Sequence, residues 1–470
     1  MTPQMTTINK EILKLALPSI LANITVPIVG MADIAVAGHI TGSDIVSTAT
    51  FISGITIGAL LFDLLYGNFF FLRVSTGGLT AQAYGRGDMK DAADILCRAS
   101  GLSFAIAAVL LCLQWLCVSV AFLVVDCSPQ VRELASQYFF IRIWAAPATL
   151  GLTAVKGLFI GMQDSLSSMA IDLTVNITNV VASIILTLGF HARGIAYDGM
   201  GFPGVAAGTV VAQYTGALCA AGIILFKYRK TVFGNYTMQD FRASFNGSET
   251  KRFFTMNTDL FIRSLCFMGI YMGFTTFSAH YGDLLLAVSS IMMKILLLFS
   301  YFTDGFAYAG EALTGKYIGR RSFSGVVSTV KYTFVWSMGI ALVFVGIYAA
   351  GGMSLLRIMT SDSAVIEACR QYLPWLVLMP LIGCAAFTWD GIFIGATDSK
   401  TCRDVMLWSV AGFLSAYFIC MQIIKRGGLP EADMDRLGMH ALFLAYFIHL
   451  AIRTVYLSLK YRKFISNRTF

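Results

Sequence analysis

Twelve runs of mainly apolar residues, each long enough to cross a bilayer, punctuate this chain of 470 residues. They are read at 11–38, 47–72, 96–125, 132–160, 166–190, 203–226, 258–280, 285–309, 327–350, 366–394, 404–424 and 438–459. A helix rises about 1.5 Å per residue against a hydrocarbon core of roughly 30 Å, so each run suffices for one span. In hydrocarbon every backbone polar group must be paired within its own segment, and apolar runs of this length satisfy that only as helices. The fold class expected is therefore all-α: a polytopic membrane protein of twelve transmembrane helices. Composition agrees, with 57% hydrophobic and 13% charged residues and a mean hydropathy of +0.72.

The net charge of +8 does not point to nucleic acid. Lys and Arg are about threefold richer in the alternate loops that include both termini, which reads as an orientation signal placing both termini in the cytoplasm. The opening MTPQMTTINKEILK lacks the plan of a cleaved signal, so the first span is expected to be retained. Ten cysteines occur singly, without a CxxC pair, and read as reduced residues of the apolar interior. The site expected is the inner (plasma) membrane, with the lipid bilayer as surroundings and a monomer as the working form.

An internal repeat organises the spans. GLFIGMQDS at 157–165 returns as GIFIGATDS at 391–399, and the same offset carries Val131, Glu133, Gln137 and Tyr138 onto Val365, Glu367, Gln371 and Tyr372. It also carries Leu79, Thr80, Gly85 and Arg86 onto Leu313, Thr314, Gly319 and Arg320. The repeat divides the chain into two pseudo-symmetric six-helix bundles, 1–226 and 258–470, joined by a basic cytoplasmic linker, 227–257. Six spans per half give both halves the same topology, the usual arrangement for alternating access.

Within the first span, Asp33 is the charged residue of the apolar run. At 100° per residue, Ser19, Asn23, Gly30 and Asp33 share one narrow sector. An aspartate in a membrane helix costs roughly 2.5–3.5 kcal/mol on insertion scales, so it faces protein or water and is suited to taking and releasing a proton. Pro18 and Pro27 each remove a backbone donor and make the helix bendable. Tyr138, Asn176, Asn179, Ser183, Thr209 and Gln213 supply uncharged donors and acceptors at helical spacings, a polar network able to hold a carboxyl in either protonation state.

The second half offers Asp259, Lys294, Asp304, Glu311 and Asp390 as ion or substrate candidates. Tyr301, Asp304, Tyr308 and Glu311 share a face of the eighth span. Asp259 and Arg263, four residues apart, read as a local ion pair. Lys294 needs a partner, with Asp390 or Asp63 the first acids to test, and the repeat sets Lys156 at the position of Asp390. The sequence holds no metal-ligand constellation, no HExxH, DDxxD or GxSxG motif and no nucleotide-binding loop, so neither an enzyme nor a cofactor is expected.

The stretches ALPSILANITVPIVGMADIAVAGHI, FLRVSTGGLTAQAYG, DGFAYAGEALTGKYIG and DGIFIGATDS together resemble the multidrug and toxic compound extrusion (MATE) transporters of the DinF-like branch. The resemblance implies two six-helix lobes and export of cationic or amphipathic compounds by antiport with H+ or Na+. In the proton-coupled members it implies protonation of the first-helix aspartate, here Asp33, and bending of that helix at the position of Pro18. Asn179 and Thr209 match the same network and Tyr138 a neighbouring residue. Ser183 stands where some relatives carry a second carboxylate. Sodium coupling through acids of the seventh and tenth spans is the alternative, and a lipid-linked precursor flippase of the same superfamily a further one, although only Lys156, Lys294 and Arg263 are candidates for holding a diphosphate.

Overall fold

The computed structural model describes residues 3–40, 48–125, 127–192, 195–234, 236–427 and 430–467. In its first half it contains helices α1 (Pro3–Gly38), α2 (Thr48–Gly67), α3 (Phe71–Arg86), α4 (Met89–Cys112), α5 (Gln114–Val124), α6 (Pro129–Arg142), α7 (Ala146–Gly161) and α8 (Ser165–Leu188). A short antiparallel pair, β1 (Phe190–Ala192) and β2 (Ile195–Tyr197), leads into α9 (Phe202–Ile223). There follow α10 (Met238–Ala243), α11 (Ser248–Ala279), α12 (Asp283–Gly319), α13 (Phe323–Met359), α14 (Ser363–Arg370), α15 (Leu373–Gly395), α16 (Ser399–Arg426) and α17 (Glu431–Asn467). Among the described residues twelve helical stretches are long and apolar enough to span a bilayer.

Four spans are not the uninterrupted helices that hydropathy predicts: the run at 47–72 parts at 68–70, between α2 and α3. The run at 96–125 breaks at Leu113 into α4 and α5. The run at 132–160 passes through a tight turn at Ile143–Ala145, after which Pro147 opens α7. The run at 366–394 parts between α14 and α15, where Pro374 sits in the first turn of the new helix. Proline is well tolerated there because its missing N–H would be unpaired in any case. Side-chain polarity does not register a change in backbone direction, so hydropathy merges the pieces. The ten cysteines are all free.

The chain resolves into two compact units, Leu21–Phe254 and Met1–Ile20 with Thr255–Phe470. The first part of α1 thus packs with the carboxy-terminal helices, whereas the sequence repeat assigns the whole of the first span to the amino-terminal half. Gly305 marks that packing: a Cβ there would lie 2.9 Å from the Ala16 carbonyl.

The repeat is written into the turns and helix contacts of both units. In the Leu21–Phe254 unit, a Cβ on Gly157 would lie 2.6 Å from the Arg73 carbonyl, and one on Gly161 2.7 Å from the Gly77 carbonyl. In the other unit, Gly391 and Gly395 meet the carbonyls of Ala307 and Glu311 in the same way. All four pairs match at the one offset, so the GLFIG and GIFIG motifs are places where only a residue without a side chain lets two helices touch. Non-glycine residues with positive φ fall at matched positions, Gln163 and Thr397. The N-caps match too: Asp88 and Ser322, Ser128 and Asp362, Asp164 and Asp398.

On α9, Gly204, Gly208, Ala212, Gly216 and Ala220 recur every four residues, and a Cβ on Gly204 or Gly208 would overlap backbone atoms of Leu186 or Ser183 on α8. Small residues at this spacing let membrane helices approach closely without a hydrophobic driving force between them. The outward faces carry large apolar side chains such as Met31, Leu123, Leu218 and Phe226, as a lipid-facing surface requires.

Part of the linker is docked on α4. Lys90, Asp94 and Arg98, one turn apart, meet Asp240 (2.6 Å), the Tyr236 hydroxyl (2.6 Å) and the Ser244 carbonyl (2.5 Å) in order. The Lys90 ammonium and the capping bonds of Thr237 hold the Asp240 carboxyl down at about 2, and burial beside Asp94 pushes the Tyr236 phenol up.

Candidate functional site

Asp33, on the part of α1 that belongs to the Leu21–Phe254 unit, is buried at 8% exposure. Helices α8 and α9 bring its neighbours to it. Ser183 Oγ donates to Asp33 Oδ1 at 3.4 Å and also faces the Val205 carbonyl at 3.5 Å. One turn earlier on α8, Asn179 Nδ2 donates to Thr209 Oγ1 on α9 at 3.0 Å, and the Thr209 hydroxyl donates to the same Val205 carbonyl at 3.3 Å. Asn179 Oδ1 is buried and has no hydrogen-bond donor among the described residues. The close crossing at Gly208 is what sets these groups side by side.

From α6, Tyr138 is fully buried and its hydroxyl accepts a hydrogen bond from Arg142 Nη1 at 2.9 Å. The Arg142 guanidinium lies over the Phe62 ring, 4.7 Å from its centroid, close enough to interact electrostatically with both Asp33 and Asp63. Sequence reading placed Arg142 in a span and gave it no role. Its signal was there, in an arginine one turn beyond Tyr138 on the same face of a membrane helix.

Other expected members stand farther off. Asn176 Nδ2 donates to Thr25 Oγ1 at 2.5 Å, and Thr25 Oγ1 to the Ala22 carbonyl at 2.6 Å, which ties α8 to α1. Gln213 is half-buried on α9 and makes no hydrogen bond among the described residues. Of the polar stripe on α1, Ser19 bonds to its own helix at the Leu15 carbonyl, 3.0 Å away, and belongs to the other unit. Helix α1 runs unbroken through Pro18 and Pro27. At each proline the bond to the carbonyl four residues earlier is missing.

Asp33 makes no salt bridge among the described residues, whereas other membrane acids do. In the same unit Lys156 Nζ pairs with Asp172 at 2.6 Å. In the carboxy-terminal unit, the local pair expected between Asp259 and Arg263 does not form. Asp259 takes Arg403 (2.6 Å) and the Ser399 hydroxyl (2.8 Å), and Arg263 reaches Asp390 at 2.5 Å. Asp390 also receives Arg453 at 2.5 Å. Lys294 lies exposed on α12, and Asp390 of the same unit pairs with Arg263 and Arg453 instead. Asp304 accepts from Ser300 at 3.4 Å, and Glu311 is buried against the Gly395 crossing. Among the described residues no group of three His, Cys, Asp or Glu is placed to hold a metal ion.

A family model described as MatE matches residues 18–185 and 260–421, most of both repeats. The chain belongs to the MATE family. DNA damage-inducible protein F of Escherichia coli K12 is 30% identical over 467 residues, which cover 99% of this chain and 94% of that protein. Probable multidrug resistance protein NorM of Photorhabdus laumondii is 23% identical, with 97% of each chain covered. In fold, the chain is similar to a MATE crystal structure in the bent conformation, with a TM-score of 0.80, 16% identity, and 100% of this chain and 98% of that one covered. By the MatE match and its 30% identity to DNA damage-inducible protein F, this MATE chain is a DinF-like, multi-pass membrane transporter and not an enzyme.

Proposed function

We propose that this MATE chain exports cationic or amphipathic compounds from the cell by antiport with H+, with Asp33 as the proton-binding group. The observation that carries the reading is a buried carboxylate with no salt bridge, set among hydroxyl and amide groups. Ser183 donates to the carboxylate when it is charged, and its hydroxyl oxygen can accept from a protonated Asp33. The charged form attracts a cation. A proton arriving from outside removes that attraction, so binding of proton and substrate compete at one group. Arg142, close by, keeps the site from holding either too tightly.

For a one-for-one exchange with a monovalent cation the membrane potential cancels, and each pH unit across the membrane sustains about a tenfold substrate gradient. The name of the Photorhabdus relative, a probable multidrug resistance protein, supports the substrate class. The same reading places the chain in the plasma membrane as a monomer with both termini cytoplasmic. Sodium coupling through Asp259 and Asp390 is less favoured, because each carboxylate already faces a guanidinium.

The test is efflux of a cationic dye from reconstituted vesicles under an imposed pH gradient, with and without sodium. Efflux driven by the pH gradient in the parent and lost in Asp33→Asn supports the proposal. Sodium-dependent efflux that survives in Asp33→Asn refutes it.

A further inference from the structure

On one face of α14, Ala364, Glu367, Ala368 and Gln371 stand at i, i+3, i+4 and i+7, while Val365 and Cys369 are buried on the other side. The face with the two alanines borders a cavity of about 750 Å³ in the carboxy-terminal unit. Leu284 and Leu285 at the start of α12 and Tyr281 just before it form a second wall, and Asp435 and Arg436 near the start of α17 a third.

The fold does not require this opening, because the repeat fills the matching place. At the offset that joins GLFIG to GIFIG, Leu285, Ala368 and Arg436 correspond to Phe51, Leu134 and Phe202, and Gly438 to Gly204. In the Leu21–Phe254 unit the Phe51 and Phe202 rings stack with centroids 5.7 Å apart, and a Cβ on Gly54 would lie 2.8 Å from Leu134 Cβ. The matched tyrosines bear out the correspondence. The Tyr138 ring lies 6.5 Å from that of Phe202, and the Tyr372 hydroxyl donates to the Arg436 carbonyl at 3.4 Å. Space left open where the sister half packs two rings and a leucine costs contacts unless a ligand supplies them.

The walls set the chemistry of that ligand. Helix α14 contributes Glu367 and Arg370, an exposed pair at 3.6 Å, and α17 contributes Asp435 and Arg436. These four charges cancel, so an ion of either sign meets repulsion as well as attraction, whereas a molecule carrying both signs finds a partner for each. Arginine suits phosphate oxygens, and carboxylates accept from an ammonium. Position adds a second constraint. Helix α11 ends at Ala279, α12 begins at Asp283, and the spans of α15 and α17 open at Leu373 and Asp433. The cavity therefore lies at the ends of spans, where headgroups meet hydrocarbon, and Leu284 beside it is a large apolar side chain left 46% exposed.

We infer that this cavity binds a zwitterionic phospholipid, with the phosphate on Arg370 and Arg436, the ammonium on Glu367 and Asp435, and acyl carbon on Leu284 and Leu285. The site uses none of the residues of the Asp33 network. A soluble zwitterion with the same two groups shares the headgroup chemistry, and the test separates the two sources.

The test uses the purified full-length protein in dodecyl maltoside and two lysophospholipids with the same NBD-labelled acyl chain, one with a phosphoethanolamine head and one with a phosphoglycerol head. The phosphoethanolamine probe is expected to bind saturably and at least about tenfold more tightly, the effect of one charge-assisted hydrogen bond. Glycerophosphoethanolamine, which has the head without the chain, should not displace it even in large excess. The double variant Ala368→Leu with Arg436→Phe installs the side chains of the sister half, and it should lose saturable binding and melt no lower than the parent. Asp435→Asn removes one wall charge and no core side chain, and it should erase the preference between the probes. Equal binding of the two probes by the parent, an undiminished preference in Asp435→Asn, or undiminished binding in a double variant that melts like the parent would each overturn the inference. Displacement by glycerophosphoethanolamine would overturn the lipid assignment in favour of a soluble zwitterion. If the double variant melts below the parent, Asp435→Asn decides alone.

Discussion

Replacing Gly208 by alanine puts one methyl group where α9 crosses α8, beside the residue that touches Asp33. The new Cβ would lie 2.5 Å from Ser183 Oγ, 2.6 Å from Ser183 N and 2.7 Å from Ser183 Cα. Two of those atoms are backbone and cannot rotate away, so the helices must part by at least about 0.7 Å to reach ordinary carbon–carbon contact. The Ser183–Asp33 hydrogen bond, at 3.4 Å, is already near its limit and breaks with that movement. Alanine gains about 0.5–1 kcal/mol over glycine in a helix, and overpacking costs about 1–3 kcal/mol. With backbone in the way the cost is at the upper end, for a net destabilisation of about 2 kcal/mol. Gly222, on the same helix, has nothing within 4 Å of a Cβ, so Gly222→Ala should be neutral or stabilise by up to about 1 kcal/mol. The assay is the thermal midpoint of the two variants in detergent, paired with pH-driven dye efflux in vesicles. Gly208→Ala should melt below the parent and lose efflux, and Gly222→Ala should do neither. A Gly208→Ala protein that melts at or above the parent and pumps normally would refute the link between this crossing and the site.

Asp259→Asn should destabilise the carboxy-terminal unit by about 3 kcal/mol or less, the low end for a broken buried ion pair, because Arg403 keeps Asp404 at 2.7 Å; denaturation of parent and variant side by side measures it. At Asp164, burial raises the carboxyl, and bonds from Lys227, Ser167 and Tyr228 outweigh it, so the group titrates below its ordinary value. A depressed folded value means stability that is present above the unfolded value of about 3.9 and lost as the pH falls through the folded one. The thermal advantage of the parent over Asp164→Asn should therefore hold at pH 5 and above and shrink as the pH is taken below about 4.

Much of the architecture was legible because it is repetitive. Twelve apolar runs dictate helices, and the offset that matches GLFIG with GIFIG also predicts matched close crossings at Gly157, Gly161, Gly391 and Gly395. The Asp33 network was legible because α8 presents Asn179 and Ser183 one turn apart, a local periodicity. Ion-pair partners were not. Arg263 and Asp390 are 127 residues apart and Arg403 and Asp259 144 apart, while helical spacing detects only neighbours three or four residues away. Arg142 and Arg453 escaped for the same reason: their meaning lies in what other helices bring to them. The breaks at Leu113 and at Ile143–Ala145 were hidden because the chain turns there without becoming polar.

The central claim is that Asp33 exchanges a proton for a cation, and proton release measures it most directly. A cationic substrate added to purified protein in weakly buffered solution, followed with a pH indicator, should displace protons from the parent and none from Asp33→Asn. Substrate binding with no proton release from the parent, or with equal release from the variant, would contradict the account.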